Sequence, residues 1–428
     1  MKKLSDSASP APARASGALM ALLLGLLSAP AGHAQESPAN VLTMQAAVEL
    51  ALAADEPALA SHSARADALQ HAAVADAQLP DPRLSASLAN VPVDSPALDG
   101  MDMTQIVVGI TQEFPAGDTL SLRGQQREAQ SLEQKALRQA RERELILATR
   151  QAWLQVFYHS RAQVIVQDNI RAVVELLDSL SSRFATGRLH AQDMLRTELE
   201  LDLLRDQLTL HEQSAENARA QLARRIGSGA RATFPAVPPD FPDLPDSDSL
   251  QGRLTAHPLV RAMDARIESS RSDVQIAEAA YKPAFGVQAG YGLRTAFSDL
   301  ASIGVSLSMP LFPEKRQDRR RLAALHTESA DRLDRHTLLL DLNQQLEQEA
   351  SDWEHLSRRV LLYERVVDER ARQTAEASVS TYASGQTDFA ELIRAQLAQL
   401  QVQLTQLELI RDRGLAWSRL NYLAGDDR

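Results

Sequence analysis

The second half of this sequence repeats the first at a nearly constant spacing, which restricts the fold to two copies of one unit. Val108-Gly-Ile-Thr-Gln-Glu-Phe-Pro115 resembles Ile303-Gly-Val-Ser-Leu-Ser-Met-Pro310 at an offset of 195. Phe184-Ala-Thr-Gly187 resembles Tyr382-Ala-Ser-Gly385 at an offset of 198. The same 198 pairs Asp193 with Glu391, Leu195 with Ile393, Arg196 with Arg394, Leu199 with Leu397 and Gly227 with Gly425. Pro57 and Arg65 match Pro258 and Arg266 at 201, whereas Trp153 and Trp353 lie 200 apart, out of local register, and carry no weight. The two units are 41–227 and 249–425. Between them, 228–248 holds Pro235, Pro238, Pro239, Pro242 and Pro245 and cannot continue a helix. It reads first as a linker, and alternatively as an ordered strap across the helices.

Each unit has the same order of elements. A first helix (Thr43–Leu79; Ser249–Ala280) stops at Pro80/Pro82 or Pro283. Two strands follow, about 83–91 and 104–114 in the first unit and 285–293 and 302–310 in the second. They alternate apolar residues (Leu84, Ile106, Val108, Ile110, Val287, Ile303, Val305) with small or polar ones (Ser85, Gly109, Thr111, Gly286, Gln288, Gly304, Ser306). A half-buried soluble sheet gives that pattern, and so does a strand with one lipid face and one wet face. A helical stretch of roughly 66 residues, about 100 Å long, comes next. It runs from Ser121 to Thr186 or from Lys315 to Ser384, turns at Gly187 or Gly385, and returns through Ala191–Ile226 or Asp388–Leu423. Helices of that length must pack side by side.

Residues 1–34 read as a secretory signal: Lys2, Lys3 and Arg14 precede the apolar run Ala18–Ser28 and the site Gly32-His33-Ala34. Its removal takes away three basic residues and Asp6, so the net charge moves from −11 to −13. An acidic chain of 45 basic and 56 acidic residues is no general nucleic-acid binder. The absence of cysteine excludes disulfides, thiolate chemistry and a lipoprotein anchor. No segment after the signal is long and apolar enough for a membrane helix, so any insertion is by strands. Four strands per chain cannot close a barrel in lipid. Three chains would give 12 strands with a lumen. The expected fold is mainly α with a membrane β-barrel: a trimeric 12-stranded barrel continued by a long α-helical periplasmic barrel.

The duplicated helix–strand–strand–hairpin plan and the motifs Phe184-Ala-Thr-Gly187…Asp193 and Tyr382-Ala-Ser-Gly385…Glu391 resemble the TolC-like outer-membrane efflux factors. Asn90-Val-Pro-Val-Asp-Ser95, Met103-Thr-Gln105 and Gln112-Glu-Phe-Pro115 are similar to members serving heavy-metal exporters of the CzcC kind. The resemblance implies a homotrimeric, cofactor-free exit duct in the outer membrane of a Gram-negative bacterium, extending into the periplasm. It implies two protein partners, a periplasmic adaptor (membrane fusion) protein and an inner-membrane pump of the resistance-nodulation-division type. It also implies a periplasmic gate, in which Tyr382 donates to Asp193 and Glu391 forms a three-fold acidic constriction. Relatives carry a second acidic residue at the position of Arg394 and an arginine at that of Thr387. Arg394 either pairs with Glu391, three residues away, or lines the gate. Asp193 and Glu391 also suit their places in first helical turns, where carboxylates meet the positive dipole end. The tips Thr186, Gly187, Arg188, Leu189, Ser384, Gly385, Gln386 and Thr387 are the expected adaptor contacts, or merely exposed turns.

No enzyme signature is present. His190-Ala-Gln-Asp193 and Asp352-Trp-Glu-His355 read as polar helix faces rather than metal sites, and Met101 and Met103 as loop residues. Arg319-Arg320-Arg321 reads as a solvated helix face, with a headgroup-level anchor as the alternative. Multidrug efflux, type I protein secretion and a periplasmic coiled-coil scaffold are the competing functions.

Overall fold

The computed structural model describes residues 41–94, 96–99, 101–185, 191–242 and 247–425. The signal segment 1–34 and the first-hairpin tip residues Thr186, Gly187, Arg188 and Leu189 lie outside them.

Each unit begins with a helix that is broken, where one continuous helix was expected. α1 (Met44–Ala53) gives way to α2 (Pro57–Asp76), and α5 (Ser247–Arg253) with a 3-10 turn gives way to α6 (Pro258–Ala279). The duplicated prolines Pro57 and Pro258 explain both breaks. A proline lacks the N–H that would continue the previous helix but fits the first position of the next. β1 (Arg83–Ala89) and β2 (Gln105–Phe114) follow in the first unit, β3 (Ala284–Leu293) and β4 (Leu300–Ser308) in the second. β4 begins and ends two residues earlier than expected. Pro310 cannot join the ladder, and Leu300 and Ala301 pair with Gly292 and Tyr291.

The long helices are α3 (Thr119–Ala185), α4 (Ala191–Ile226), α7 (Gln317–Leu362), α8 (Asp368–Ala383) and α9 (Phe389–Ala424). α3 runs unbroken for 67 residues, about 100 Å. Its counterpart is interrupted by a π-helical turn at Tyr363–Val367, which separates α7 from α8 and which periodicity did not foretell. α2, α3, α6 and α7 pack in that order, while α9 lies against α3, α7 and α8.

The 228–242 part of the connector is an ordered strap, not a free linker. Thr233 carbonyl accepts from Leu42 N–H at 2.8 Å, and Leu42 carbonyl from Trp153 Nε1 at 2.9 Å. Phe234 lies 5.6 Å from Trp153, and Phe241 5.6 Å from Trp417, whose Nε1 donates to Pro242 carbonyl at 3.1 Å. The largest buried cluster forms here, around Trp153, Leu154, Phe157 and Leu222. Gly414 sits mid-helix in α9 because Phe241 leaves no room: an added Cβ would stand 2.6 Å from its Cζ.

Candidate channel wall and tip

The four strands form one antiparallel sheet in the order β1-β2-β3-β4, so the two units join through β2 and β3. The register sorts the side chains. Leu84, Ile110, Ala289 and Ile303 form one cross-strand row, and Ala86, Val108, Tyr291 and Ala301 the next. Phe285 and Leu307 continue the same face, as do Val287 and Val305. This apolar face spans all four strands and is uncovered: Ile303 is 84% and Val305 72% exposed. An apolar surface of that extent is unfavourable in water and suits hydrocarbon.

The reverse face holds small and polar residues in the same register. Ser85, Gly109, Gly290 and Ser302 form one row, and Thr111, Gln288 and Gly304 another. Serines lean over glycines: Ser302 Oγ reaches Gly290 carbonyl at 3.4 Å, and a Cβ on Gly290 would meet that oxygen at 2.9 Å. Gln288 covers Gly304 in the same way, with Nε2 2.5 Å from the Cβ position. The glycines are needed for this close layer, which leaves hydroxyls and amides as the lining. The outer edges of β1 and β4 pair with no strand among the described residues.

Both ends of the sheet carry aromatic side chains. Phe114 and Phe285 stack at 4.8 Å at the helix end, and Tyr291 lies near the loop end. There Tyr291 hydroxyl donates to Asp299 at 2.8 Å, and Arg294 Nη1 to Asp102 carbonyl at 2.7 Å, which ties the two loops together. At the helix end Lys282 pairs with Asp118 at 3.3 Å, Arg83 with Glu113 at 3.3 Å and Arg321 with Glu278 at 2.9 Å.

At the other end of the helices the second hairpin turns through a glycine-capped motif. Gly385 has φ +73° and donates to Tyr382 carbonyl at 3.0 Å, and Gln386 N–H donates to Thr381 carbonyl at 2.9 Å. Ser384 Oγ donates to Thr381 carbonyl at 3.0 Å, and Thr387 Oγ1 lies 3.0 Å from Thr381 Oγ1. Asp388 caps α9 by accepting from Glu391 N–H at 2.9 Å, and Arg394 donates to the Glu391 carboxylate. Tyr382 packs edge-on to Phe389 at 5.8 Å, against Leu392 and Ile393. Asp193 lies in the first turn of α4, its carbonyl accepting from Thr197 Oγ1 at 2.8 Å.

Two features escaped the sequence reading. His159 on α3 faces His211 on α4 with Nδ1 atoms 3.2 Å apart; burial, then the charges of His211 and Arg411, lower His159 to about 4. His257 is fully buried, accepts from Leu259 N–H at 3.3 Å as the cap of α6, and is lowered to about 4, mainly by burial. None of the three histidines follows a period, so only the packing reveals them. Among the described residues no group of three or more potential metal ligands converges, and no helix is long and apolar enough to cross a membrane.

The outer membrane efflux protein family matches residues 250–426, the second unit. No curated protein matches the sequence. Solved structures match nearly throughout. The outer-membrane channel OprN shares 20% identity at a TM-score of 0.75, covering 90% of this chain and 91% of that one. A membrane protein from Pseudomonas aeruginosa shares 16% at 0.77, covering 89% and 92%. CusC, described for conformational changes accompanying folding and transmembrane channel formation, shares 14% at 0.75, covering 89% and 91%. The chain therefore has the fold of outer-membrane efflux channels.

Proposed function

We propose that this chain is a member of the outer membrane efflux protein family and forms the passive exit duct of a tripartite efflux system. The observation that carries this reading is the sheet: one face apolar and uncovered across four strands, the other lined by Gly, Ser, Thr and Gln, with both edges open. Backbone groups on an open edge cannot remain unpaired in lipid. Copies of the chain would close the edges, β4 of one against β1 of the next, and three copies would enclose a wet lumen of 12 strands. α4 supports the same ring. Its leucines Leu195, Leu199, Leu203 and Leu210 are exposed along one side, awaiting a helix from a neighbour. A head-to-tail contact of this kind closes into a cyclic homotrimer.

In the assembled duct, Tyr382 would donate to Asp193 across neighbouring hairpins and Glu391 would ring the periplasmic mouth. The Arg394 bond to Glu391 leaves each such carboxylate locally neutralised, so a weak acidic ring is expected rather than a double one. An adaptor gripping the tips Thr186–Leu189 and Ser384–Thr387 would pull the hairpins apart and break those links. No nucleotide or metal cofactor enters; the inner-membrane pump supplies the energy. The acidic net charge favours cationic cargo by focusing the field in a narrow lumen, and the resemblance to CzcC-type ducts points to heavy-metal cations.

Fractionation to the outer membrane, a trimeric mass and single-channel conductance in planar bilayers test the channel. A soluble monomer would overturn it and favour the scaffold reading. For the cargo, a strain lacking the chain should become selectively sensitive to zinc, cobalt, cadmium, copper or silver. Sensitivity to dyes and detergents with metals unaffected would assign multidrug export instead.

A further inference from the structure

Below the sheet, a cluster of cations is left over by every contact described so far. After Ser308 the chain passes Leu311 and Phe312, 70% and 84% exposed, and a 3-10 turn at Pro313–Lys315 leads into α7. Arg316, Arg319 and Arg320 are exposed. Their neighbours are committed to α6 and its end: Asp318 accepts from Tyr281 hydroxyl, and Arg321 donates to Glu278 at 2.9 Å. At about 100° per residue, Arg319 and Arg320 lie on the side of α7 opposite Asp318 and Arg321, and Arg316 is the residue immediately before the helix.

The duplication shows that the fold does not require these charges. At the 198 offset of the helix starts Thr119 and Gln317 the counterparts are Asp118, Ser121 and Leu122, and at the 195 offset of the strands they are Ser121, Gly124 and Gln125, none of them a cation. Three neighbouring guanidiniums without a partner among the described residues are also unexpected in a chain of net charge −11. Their axial extent, four residues at about 1.5 Å, is roughly 6 Å. That matches the headgroup layer of about 5–7 Å that flanks a hydrocarbon core, and it starts where the apolar face ends. A neighbouring copy could not neutralise them as well. On the opposite edge Asp76 is held by Arg127 and Glu113 by Arg83, and Asp81, which has no partner among the described residues, is a single carboxylate against three guanidiniums.

We propose that Arg316, Arg319 and Arg320, with Leu311 and Phe312 beneath the acyl chains, bind the phosphate headgroups of anionic phospholipid in the periplasmic leaflet of the outer membrane. This site rests on the channel reading and replaces the solvated face expected from sequence. Guanidinium forks suit phosphate oxygens, and the exposed Leu311 and Phe312 select a phosphate that carries hydrocarbon.

The test is lipid selection by the full-length assembly in vesicles of phosphatidylethanolamine, alone or with phosphatidylglycerol, read by native mass spectrometry of retained lipid. Each arginine is expected to add about fivefold preference for phosphatidylglycerol, the equivalent of roughly 1 kcal/mol. R316Q/R319Q/R320Q should lose that preference with trimer mass and conductance intact, and the triple lysine variant should keep most of it. An unchanged preference in the glutamine variant overturns the proposal, as does equal displacement by inorganic phosphate at matched concentration. An altered trimer mass with unchanged lipid selection also overturns it, assigning the arginines to a contact between copies. A wild-type chain that inserts and conducts without lipid preference overturns this site alone; one that neither inserts nor conducts overturns the channel reading beneath it.

Discussion

Ala289 and Gln288 are adjacent on β3, within about 3 Å of the same height, on opposite faces of the sheet, and replacing each by arginine separates the two environments. β3 has 10 residues, about 33 Å at 3.3 Å per residue. Tilted by about 40°, it rises roughly 25 Å, the height of a barrel's apolar band. Ala289 is the sixth residue, so its Cα lies roughly 14 Å up, within about 2 Å of the midplane. It is flanked on its own face by Ile110 and Ile303. On the proposed channel reading this face meets lipid, where a charge costs about 2–4 kcal/mol per chain and lowers the folded-to-unfolded ratio by roughly thirtyfold to several hundredfold. Gln288 faces Thr111 and Gly304 on the small-residue side. An arginine there remains in water, and the expected stability change is within about 0.5 kcal/mol. Urea titration of protein folded in phospholipid bilayers, read by the mobility of the folded form on unheated gels, measures both. Equal midpoints for Ala289→Arg and Gln288→Arg, or a lower one for Gln288→Arg, would refute the assignment of faces.

Gly414→Ala gains about 1 kcal/mol of helix propensity but drives a methyl to 2.6 Å from Phe241. Overpacking of about 1–3 kcal/mol outweighs that gain, so the thermal midpoint should fall; a rise would mean the strap is loosely held. His257 is lowered from 6.5 to about 4, so below pH 6.5 the unfolded chain binds the proton that the folded chain refuses. His257 should therefore contribute a loss of about 3 kcal/mol as pH falls from 6.5 to 4, beside a loss of the same sign from His159, and His257→Asn, which can still cap α6, should remove its share and make the decline shallower in urea titrations at stepped pH. Tyr382→Phe combined with Glu391→Gln should raise closed-state conductance in planar bilayers, and unchanged conductance would remove both residues from the gate. Trp153→Ala empties the fully buried site beneath Leu42 and Phe234, at a cost of about 3–5 kcal/mol, visible as a lowered midpoint in chemical denaturation.

Much of the fold was legible because two periods and one repeat reinforce each other. Alternation in Ile106–Phe114 and Phe285–Leu293 marks strands whichever face is wet, and Gly385 with Asp388 marks the turn by backbone conformation and capping. What could not be read was relational. The pairing of β2 with β3, which joins the two units, depends on partners 171–187 residues apart and leaves no local signal. The strap is held by Trp153, Phe234 and Trp417, single aromatics without periodicity, so its prolines spoke only against helix. The breaks before Pro57 and Pro258 were legible in principle, since each proline has the first-position preference that starts a new helix. The π-turn at Tyr363–Val367 substitutes one hydrogen-bond pattern for another without any breaking residue, which hides it from composition.

The duplication itself argues for assembly, because the same unit occupies two environments within one chain. Leu195 and Ile393 are equivalent by the 198 offset, yet Leu195 on α4 is 66% exposed and Ile393 on α9 is 4% exposed. Similar apolar residues at equivalent positions should meet similar surroundings in a closed pseudo-symmetric ring. α9 finds them within the chain, between α3 and α8. α4 packs mainly on α3 and has no second neighbour of that kind. The neighbour it lacks is the counterpart of the α3 that flanks α9, which is α8, and the α8 of its own chain is already packed on α9; on the proposed assembly the α8 of another copy fills the place. Substituting Leu199 and Leu203 by glutamate should therefore leave the folded chain's helicity intact and abolish the trimeric mass that the proposed duct requires. A variant that remains trimeric would place the ring's seam elsewhere.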